Sequence, residues 1–338
     1  YTIFQGMEYS FKNLDGEFRY CIFKEFNIPQ GEYYLFDSYG SISFSDCQFI
    51  DGFAQASLVG GSSHIFTRCV FSNYNSYMYG SLKGLNLQFS YCNFSNVSTE
   101  LDLFYNSSIN TTNIFEYNNI LTRSEIPLYG SSPGTIDSIA PQYWGSIDDD
   151  IISEYCIYDF YDDASLAEVL LTDKLLVPSY ISHGITWKIL INDVEAQGDE
   201  LEYLDVGTYV FDVYFNRAMD VDYEPFLTFG VDQPYTQHVV NDSSSWSADS
   251  TIWTAYYTMG IETGDGINRV RVSGARDDEN FEIPIEDKRF EFVLQAAGAA
   301  SVAFMATPGI GKVDLEWPPA STDDALGYNM YRSLKLND

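Results

Sequence analysis

The chain has 338 residues, of which 45% are hydrophobic and 17% aromatic, and its formal net charge at pH 7 is −32. This apolar content can form a large core, and the length is typical of two or three domains rather than a disordered chain. Because carboxylates greatly outnumber basic groups, the surface should repel nucleic-acid phosphates and anionic lipid headgroups. We therefore expect no nucleic-acid partner, and we find no apolar run long enough for membrane insertion.

A short motif recurs in the first 120 residues. Four copies read Phe-x-x-Cys-x-Phe, and a fifth, starting at Phe115, carries Asn118 and Ile120 at the later positions. The fourth and sixth positions of the four copies are Cys21 and Phe23, Cys47 and Phe49, Cys69 and Phe71, and Cys92 and Phe94. A period in the twenties is typical of a solenoid, in which one small unit stacks on copies of itself.

Within each copy, apolar residues occupy every second position. Two residues interrupt this alternation before it resumes, as in Ile42, Phe44, Cys47 and Phe49. This pattern predicts a strand, a bend and a second strand that point their apolar side chains to one interior. A third apolar stretch precedes each pair, at 34–36, 57–59, 77–79, 101–104 and 126–128. We expect a parallel β-helix over 1–146 with three strands per turn. The cysteines would be stacked small core residues, or disulfides between neighbouring coils.

Stacking would also align the residue before each Cys position, and these residues are Tyr20, Asp46, Arg68, Tyr91 and Tyr117. Their parity is opposite to that of the buried cysteines, so we expect them to face outwards or to lie at the bend. The tyrosines would suit stacking on sugar rings, and Asp46 beside Arg68 would form an acid–base or recognition pair. The alternative is a solvent-facing ladder in which the two charges only compensate each other.

These units resemble the right-handed parallel β-helix repeats of bacterial and archaeal secreted proteins. That superfamily includes pectate-lyase-like enzymes and many non-enzymatic surface proteins. The segment from Gln142 to Asp163 is similar to the closing segment of such helices. In 147–182 we expect a capping segment with a short helix whose apolar face holds Ile147, Ile151, Ile152 and Tyr155. Asp148, Asp149 and Asp150 would lie in its first turn, or would form a calcium site.

Two further units follow. Strand-like runs separated by Gly, Asp, Asn and Pro clusters predict a β-sandwich in 183–298. These runs lie at 185–191, 209–215, 226–229, 251–257, 269–273 and 290–294. The run from Val213 to Asp220 and the later run from Val272 to Asp277 resemble bacterial Ig-like domains, although Glu279 and Asn280 depart from the family's glycine turn. Residues 299–338 resemble the first strands of a truncated fibronectin type III domain. The fold class is therefore all-β, and we expect the chain to belong to a longer protein.

Few residues suggest a catalytic or metal-binding site. His64, His183 and His238 are far apart in sequence, and no metal-binding or nucleophile motif is present. A glycosidase pair would need two nearby carboxylates, such as Asp46 with Asp51 or Glu25. A lyase is less favoured, since no basic residues share a column. We assign no catalytic residue and no cofactor apart from the calcium alternative.

The domain order favours a non-catalytic extracellular or cell-surface structural or adhesion protein. Its partner would be a polysaccharide, bound through the β-helix, or another surface protein. The alternative is a carbohydrate-active enzyme, a polysaccharide hydrolase or lyase, with its groove on the β-helix face. Sequons for N-linked glycans begin at Asn93, Asn96, Asn106, Asn110 and Asn241.

Overall fold

The fold was determined from a computed structural model. It describes residues 2–29, 34–37, 40–54, 57–60, 63–73, 75–76, 87–95, 114–121, 128–129, 136–138, 141–166, 168–171, 173–197, 203–295, 305–309 and 312–316. These residues form an all-β protein with one α-helix and one 3₁₀ turn in the described part. A parallel β-solenoid comes first and two antiparallel sheets follow. No helix among the described residues is both long and apolar enough to cross a bilayer.

The first part of the chain forms the solenoid. Its strands are β1 (Thr2–Gln5), β2 (Phe11–Lys12), β3 (Gly16–Arg19), β4 (Cys21–Lys24), β5 (Asn27–Ile28), β6 (Tyr34–Asp37), β7 (Ser41–Ser45), β8 (Gln48–Ile50), β9 (Phe53–Ala54), β10 (Ser57–Gly60), β11 (Ser63–Thr67), β12 (Val70–Ser72), β13 (Asn75–Ser76), β14 (Leu87–Ser90), β15 (Asn93–Ser95), β16 (Ile114–Glu116), β17 (Asn119–Ile120), β18 (Leu128–Tyr129) and β19 (Ile136–Ser138).

All solenoid strands pair in parallel. A six-stranded sheet has the order β1-β4-β8-β12-β15-β17, and a five-stranded sheet has the order β3-β7-β11-β14-β16. The third predicted stretch forms the sheet β2-β6-β10, and a further sheet, β5-β9-β13, was not anticipated from the sequence. The predicted stretches at 77–79 and 101–104 lie outside the described residues. The repeat therefore predicted the parallel solenoid correctly.

Phenylalanines fill the solenoid. Phe23, Phe49, Phe71 and Phe94 are fully buried, and each ring stacks on the next with centroids 4.9 to 5.1 Å apart. A second column runs beside it through the first Phe of each copy, and its rings meet those of the first column edge to face. Both geometries are favourable for aromatic pairs. The strand register is fixed because shifting a strand by one residue would turn its Phe rings from the core to the outer face.

The cysteine column is also inside, and all five cysteines of the chain are free thiols. From Cys47 onwards, each side chain in this column bonds a backbone carbonyl oxygen of the preceding coil, whereas Cys21 Sγ bonds Arg19 O at 3.4 Å. The pairs are Cys47 Sγ with Phe18 O at 3.5 Å, Cys69 Sγ with Phe44 O at 3.4 Å, Cys92 Sγ with Phe66 O at 3.5 Å, Asn118 Nδ2 with Phe89 O at 3.0 Å, and Gln142 Nε2 with Phe115 O at 2.6 Å. Cys, Asn and Gln thus supply the same contact, which satisfies a buried polar group beside the bend. Gln142 shows that the column extends one coil beyond the fifth motif.

This equivalence predicts how Cys92 tolerates substitution. Cys92→Asn should change the free energy of unfolding by less than about 1 kcal/mol, because an amide makes both contacts that Asn118 makes in the next coil. Cys92→Val should cost about 1–3 kcal/mol, because Phe66 O and Cys69 N lose their partner. Urea unfolding of the two variants measures the difference. A valine variant as stable as the asparagine variant would contradict it.

The segment after the last coil closes the solenoid. Asp148 is the N-cap of helix α1 (Asp149–Cys156), and its side chain accepts a hydrogen bond from Asp150 N at 2.9 Å. Ile152 and Cys156 point into the solenoid core. The predicted apolar face was partly wrong, because Ile147 and Tyr155 are 58% and 45% exposed. Ile152 and Cys156 are four residues apart and therefore lie on the same side of the helix, which is the side that it buries.

Two strands continue the parallel pairing after the helix. They are β20 (Ile157–Tyr158), paired with β18, and β21 (Glu168–Leu170), paired with β19. The segment 147–182 therefore adds strands to the solenoid as well as a capping helix. In the first turn of α1, Asp149 forms an ion pair with Lys174 at 2.5 Å.

The second part of the chain has two antiparallel sheets around one core, and we call it the two-sheet unit. Its elements are β22 (Thr186–Ile191), β23 (Val194–Glu195), β24 (Gly207–Phe215), β25 (Phe226–Gly230), β26 (His238–Val240), β27 (Asp242–Trp246), β28 (Ile252–Met259), a 3₁₀ turn (Ile261–Thr263), β29 (Gly266–Ser273) and β30 (Glu291–Leu294). The sheet orders are β23-β22-β24-β28-β27 and β26-β25-β29-β30. Phe211 and Trp253 of the first sheet share the core with Phe229 and Phe292 of the second.

A hairpin of β31 (Met305–Gly309) and β32 (Lys312–Glu316) follows. It corresponds to the first two strands expected for the C-terminal unit. The third expected strand, near 327–332, lies outside the described residues.

Candidate functional site

The outer face of the six-stranded sheet contacts the two-sheet unit and the segment before it. Gln48, Val70, Asn93 and Asn119 are register neighbours on this face, opposite to the core, yet all four are buried. Gln48 Nε2 donates to the backbone oxygen of Glu282 at 2.9 Å. This outward row, which holds three polar side chains and Val70, is therefore covered by protein instead of water.

Further hydrogen bonds join the solenoid to the chain that follows it. Asn93 Nδ2 donates to His183 O at 2.8 Å, and Asn119 Oδ1 accepts from Ser179 N at 2.7 Å. Ser95 Oγ donates to the Glu286 carboxylate at 3.3 Å. Since buried amides need partners, these bonds specify how the solenoid and the two-sheet unit fit together.

Charged groups meet at the centre of this contact. His183 lies between Asp46 of the solenoid and Asp277 of the two-sheet unit, with its Nε2 2.9 Å from Asp46 Oδ1 and its Nδ1 3.0 Å from Asp277 Oδ2. Its ring stacks on Phe281 at a centroid distance of 3.6 Å. Arg68 pairs with Asp46 at 3.0 Å and reaches Glu279 across the contact.

Asp277 is the most heavily bonded carboxylate of this group. Its side chain accepts from His183 Nδ1 and from the backbone N–H of Gly184, Glu279 and Phe281. Burial raises the pKa of Asp277, but these hydrogen bonds outweigh it, so the pKa lies below its usual value. Asp277 is therefore a buried anion that organises the loop around it.

Arg217 completes the cluster. It lies 3.7 Å from Asp277, 2.6 Å from Asp278 and 2.7 Å from Glu279. Burial raises the pKa of Glu279 but the bonds from Arg68 and Arg217 outweigh it, so that pKa lies below its usual value. We call the six residues Asp46, Arg68, His183, Arg217, Asp277 and Glu279 the interface network.

One geometric feature of the network resembles a cation site. Ligand atoms of Asp46, His183 and Glu279 lie within 4.8 Å of one another. However, both ring nitrogens already face carboxylates, and Arg68 contacts both of the acidic side chains. A metal ion would have to displace these partners, so we interpret the cluster as an ion-pair network.

The five predicted column residues do form one column. Each lies at the bend between two strands, and their φ angles are 53° at Tyr20, 54° at Asp46, 54° at Arg68, 57° at Tyr91 and 54° at Tyr117. This left-handed conformation, uncommon outside glycine, turns the chain from one sheet into the next. Asp46 and Arg68 belong to the interface network. Tyr91 and Tyr117 stack on each other at 5.4 Å, and Tyr20 and Tyr117 are exposed.

A second left-handed column lines an open groove beside the contact. It contains Glu25, Asp51 and Asn73, and the two-sheet unit adds Asp287 and Lys288. Burial, and then the charge of Glu286, raises the pKa of Asp287 above its usual value. The carboxylates considered for glycosidase chemistry are thus divided, because Asp51 and Glu25 line the groove and Asp46 lies in the interface network.

The structure buries one of the glycosylation sites that the sequence suggests. Asn93 is fully buried, and its amide bonds His183 O and Asn119. The side chain points away from the solenoid core and into the contact with the chain that follows the solenoid. Asn241 is exposed. Asn96, Asn106 and Asn110 lie outside the described residues.

This difference gives a direct test. If the chain is secreted by a host that attaches N-linked glycans, we expect Asn241 to be modified and Asn93 to stay unmodified, because a glycan at Asn93 cannot fit the buried contact. Glycopeptide mapping of the native chain measures both sites, with Asn241→Gln as the control for assignment. A glycan on Asn93 of the folded chain would show that the contact does not form.

The sequence did not predict the contacts of His183 with Asp277 and Asp46, because these residues lie 94 and 137 positions away from His183 along the chain. The only sequence signal was the place of His183 between the two units. Comparison of the chain with protein-family models, curated proteins and solved structures found no significant match.

Proposed function

We propose that the chain is a non-catalytic structural module of an extracellular or cell-surface protein, in which a right-handed, pectate-lyase-like β-helix is attached rigidly to an Ig-like β-sandwich. One observation carries this proposal. Asp46 and Arg68, the column residues best suited to chemistry, are used to hold the two units together. The fibronectin type III-like hairpin after them fits a series of spacers.

The remaining column residues support glycan binding as the adhesive activity. Tyr117 is 36% exposed and stacks on Tyr91, and Tyr20 is 50% exposed in the same column. Tyr91 and Tyr117 lie one coil apart, and aromatic rings at this spacing suit contact with the sugars of a polysaccharide. Their position on bends of the solenoid keeps that spacing fixed.

Binding to a glycan array and release of reducing ends or unsaturated products test this function. We expect no turnover on neutral or uronic polysaccharides. Tyr117→Ala should weaken glycan binding, while Asp46→Asn, Arg68→Ala and the control Tyr256→Ala on the two-sheet unit should leave it nearly intact. Turnover that Asp46→Asn or Arg68→Ala abolishes would overturn the proposal.

A polysaccharide hydrolase is the second candidate, favoured by the groove. Asp51, Glu25 and Asp287 line it together, and burial raises the pKa of Asp287 above its usual value. A carboxyl group with a raised pKa suits the general-acid role in a glycosidase pair. If this function is correct, Asp51→Asn and Asp287→Asn each abolish release of reducing ends, and the exposed control Asp222→Asn does not.

A further inference from the structure

His183 contacts the solenoid with one ring nitrogen and the two-sheet unit with the other. Both facing atoms are carboxylate oxygens, which accept hydrogen bonds and cannot donate them when ionised. A neutral imidazole has one N–H, so it can satisfy only one of the two oxygens and turns a lone pair towards the other. Only the doubly protonated ring donates to Asp46 and Asp277 at the same time.

The charges around the ring favour the same protonation state. Asp46 and Asp277 face it directly, from the solenoid bend and from the loop after β29. Arg68 neutralises Asp46, while Arg217 contacts Asp277, Asp278 and Glu279. Carboxylates thus outnumber guanidinium groups in this cluster. The ring itself is 1% exposed, so water cannot replace a lost contact.

We propose that His183 is a protonation-dependent latch between the solenoid and the two-sheet unit. The doubly protonated ring holds Asp46 and Asp277 together across the contact, and loss of one ring proton loosens the contact. Unlike the proposed function, this inference depends only on the geometry of the ring.

The direction of the pH dependence follows from proton counting. A free histidine is mostly neutral above a pH of about 6.5, so at higher pH the closed contact binds one more proton than the opened one. Closing is then favoured by lower pH, and the opening equilibrium rises by at most about tenfold per pH unit for one proton. At strongly acidic pH the contact is lost again as the carboxylates become protonated.

The ring nitrogens can be observed directly in the whole chain. With ¹⁵N-labelled histidine, NMR should show both nitrogens of His183 protonated at neutral pH, while the other two histidines show one protonated nitrogen each as pH rises. His64→Gln and His238→Gln assign the signals by elimination, so no variant of the latch itself is needed. A single protonated nitrogen on His183 at pH 6 would overturn the proposal.

Hydrogen exchange measures the latch as an opening equilibrium. After correction for intrinsic exchange rates, the amides of Ser179 and Gly184, which bond Asn119 and Asp277, should lose protection by up to about tenfold per pH unit between about pH 7 and 9, relative to Val270 in the core. His183→Gln should remove this dependence. His238→Gln, a histidine that contacts Tyr257 within the two-sheet unit, should keep it. An unchanged dependence in His183→Gln, or none in the native chain, would overturn the proposal.

Discussion

Replacing Asp277 with alanine should lower the free energy of unfolding of the two-sheet unit by about 3–5 kcal/mol, because it leaves a buried charge network without its central anion. Asp277 is fully buried and accepts from His183 and from three backbone N–H groups. Those donors would remain buried without a partner, and each lost bond has a cost. Denaturant unfolding followed by Trp fluorescence measures the change.

Asp278→Ala is the matched control. This neighbouring carboxylate also pairs with Arg217, but it is 54% exposed, so water can replace it. Its loss should cost at most about 1 kcal/mol. Equal losses for the two variants would mean that burial of Asp277 does not determine its contribution.

The same residue gives a pH dependence. Its pKa lies below the usual value of 3.8, so its contribution to stability is fully present above that pH and is lost as pH falls through the folded-state pKa. The pKa values of Glu279 and Glu286 are lowered as well and act in the same direction. Native protein should therefore lose stability at acidic pH more steeply than Asp277→Ala, which stability curves measured at several pH values compare. Parallel curves would contradict this assignment.

Phe71→Ala should destabilise the solenoid by about 3–5 kcal/mol. The ring is fully buried and stacks between Phe49 and Phe94, with both centroids 4.9 Å away. Its removal leaves a cavity that the coils above and below cannot fill, because their backbones are tied together by strand pairing. Since each coil contacts only its neighbours, the damage should centre on β8, β12 and β15.

Ile65→Ala on strand β11 is the control for this variant. Ile65 is an apolar residue of the same solenoid, but it points outwards and is 38% exposed. Its replacement should change stability by less than about 0.5 kcal/mol. Denaturant unfolding gives the energies, and hydrogen exchange of the three strands locates the effect. A loss for Phe71→Ala as small as that for Ile65→Ala would refute the stacked core.

The sequence alone was enough to predict the solenoid. Period-two alternation and a repeat in the twenties determine which side chains point inwards, because alternate residues of a strand face opposite sides of a sheet. The same repeat period predicted the column of Tyr20, Asp46, Arg68, Tyr91 and Tyr117. The strands of the two-sheet unit could be placed from apolar runs and turn residues, although β23, β26 and β27 were not.

Only the tertiary structure decided which part of the solenoid surface is exposed to solvent. Asn93 and Gln48 have the local pattern of exposed residues, and no neighbour in sequence indicates that another unit covers them. Arg68, one repeat away from Asp46, could be predicted from the period, but the other partner of Asp46 is His183, 137 residues away and outside the repeats. Such contacts depend on how two folded units pack together, so they are set by shape and charge in space and leave no periodic trace along the chain.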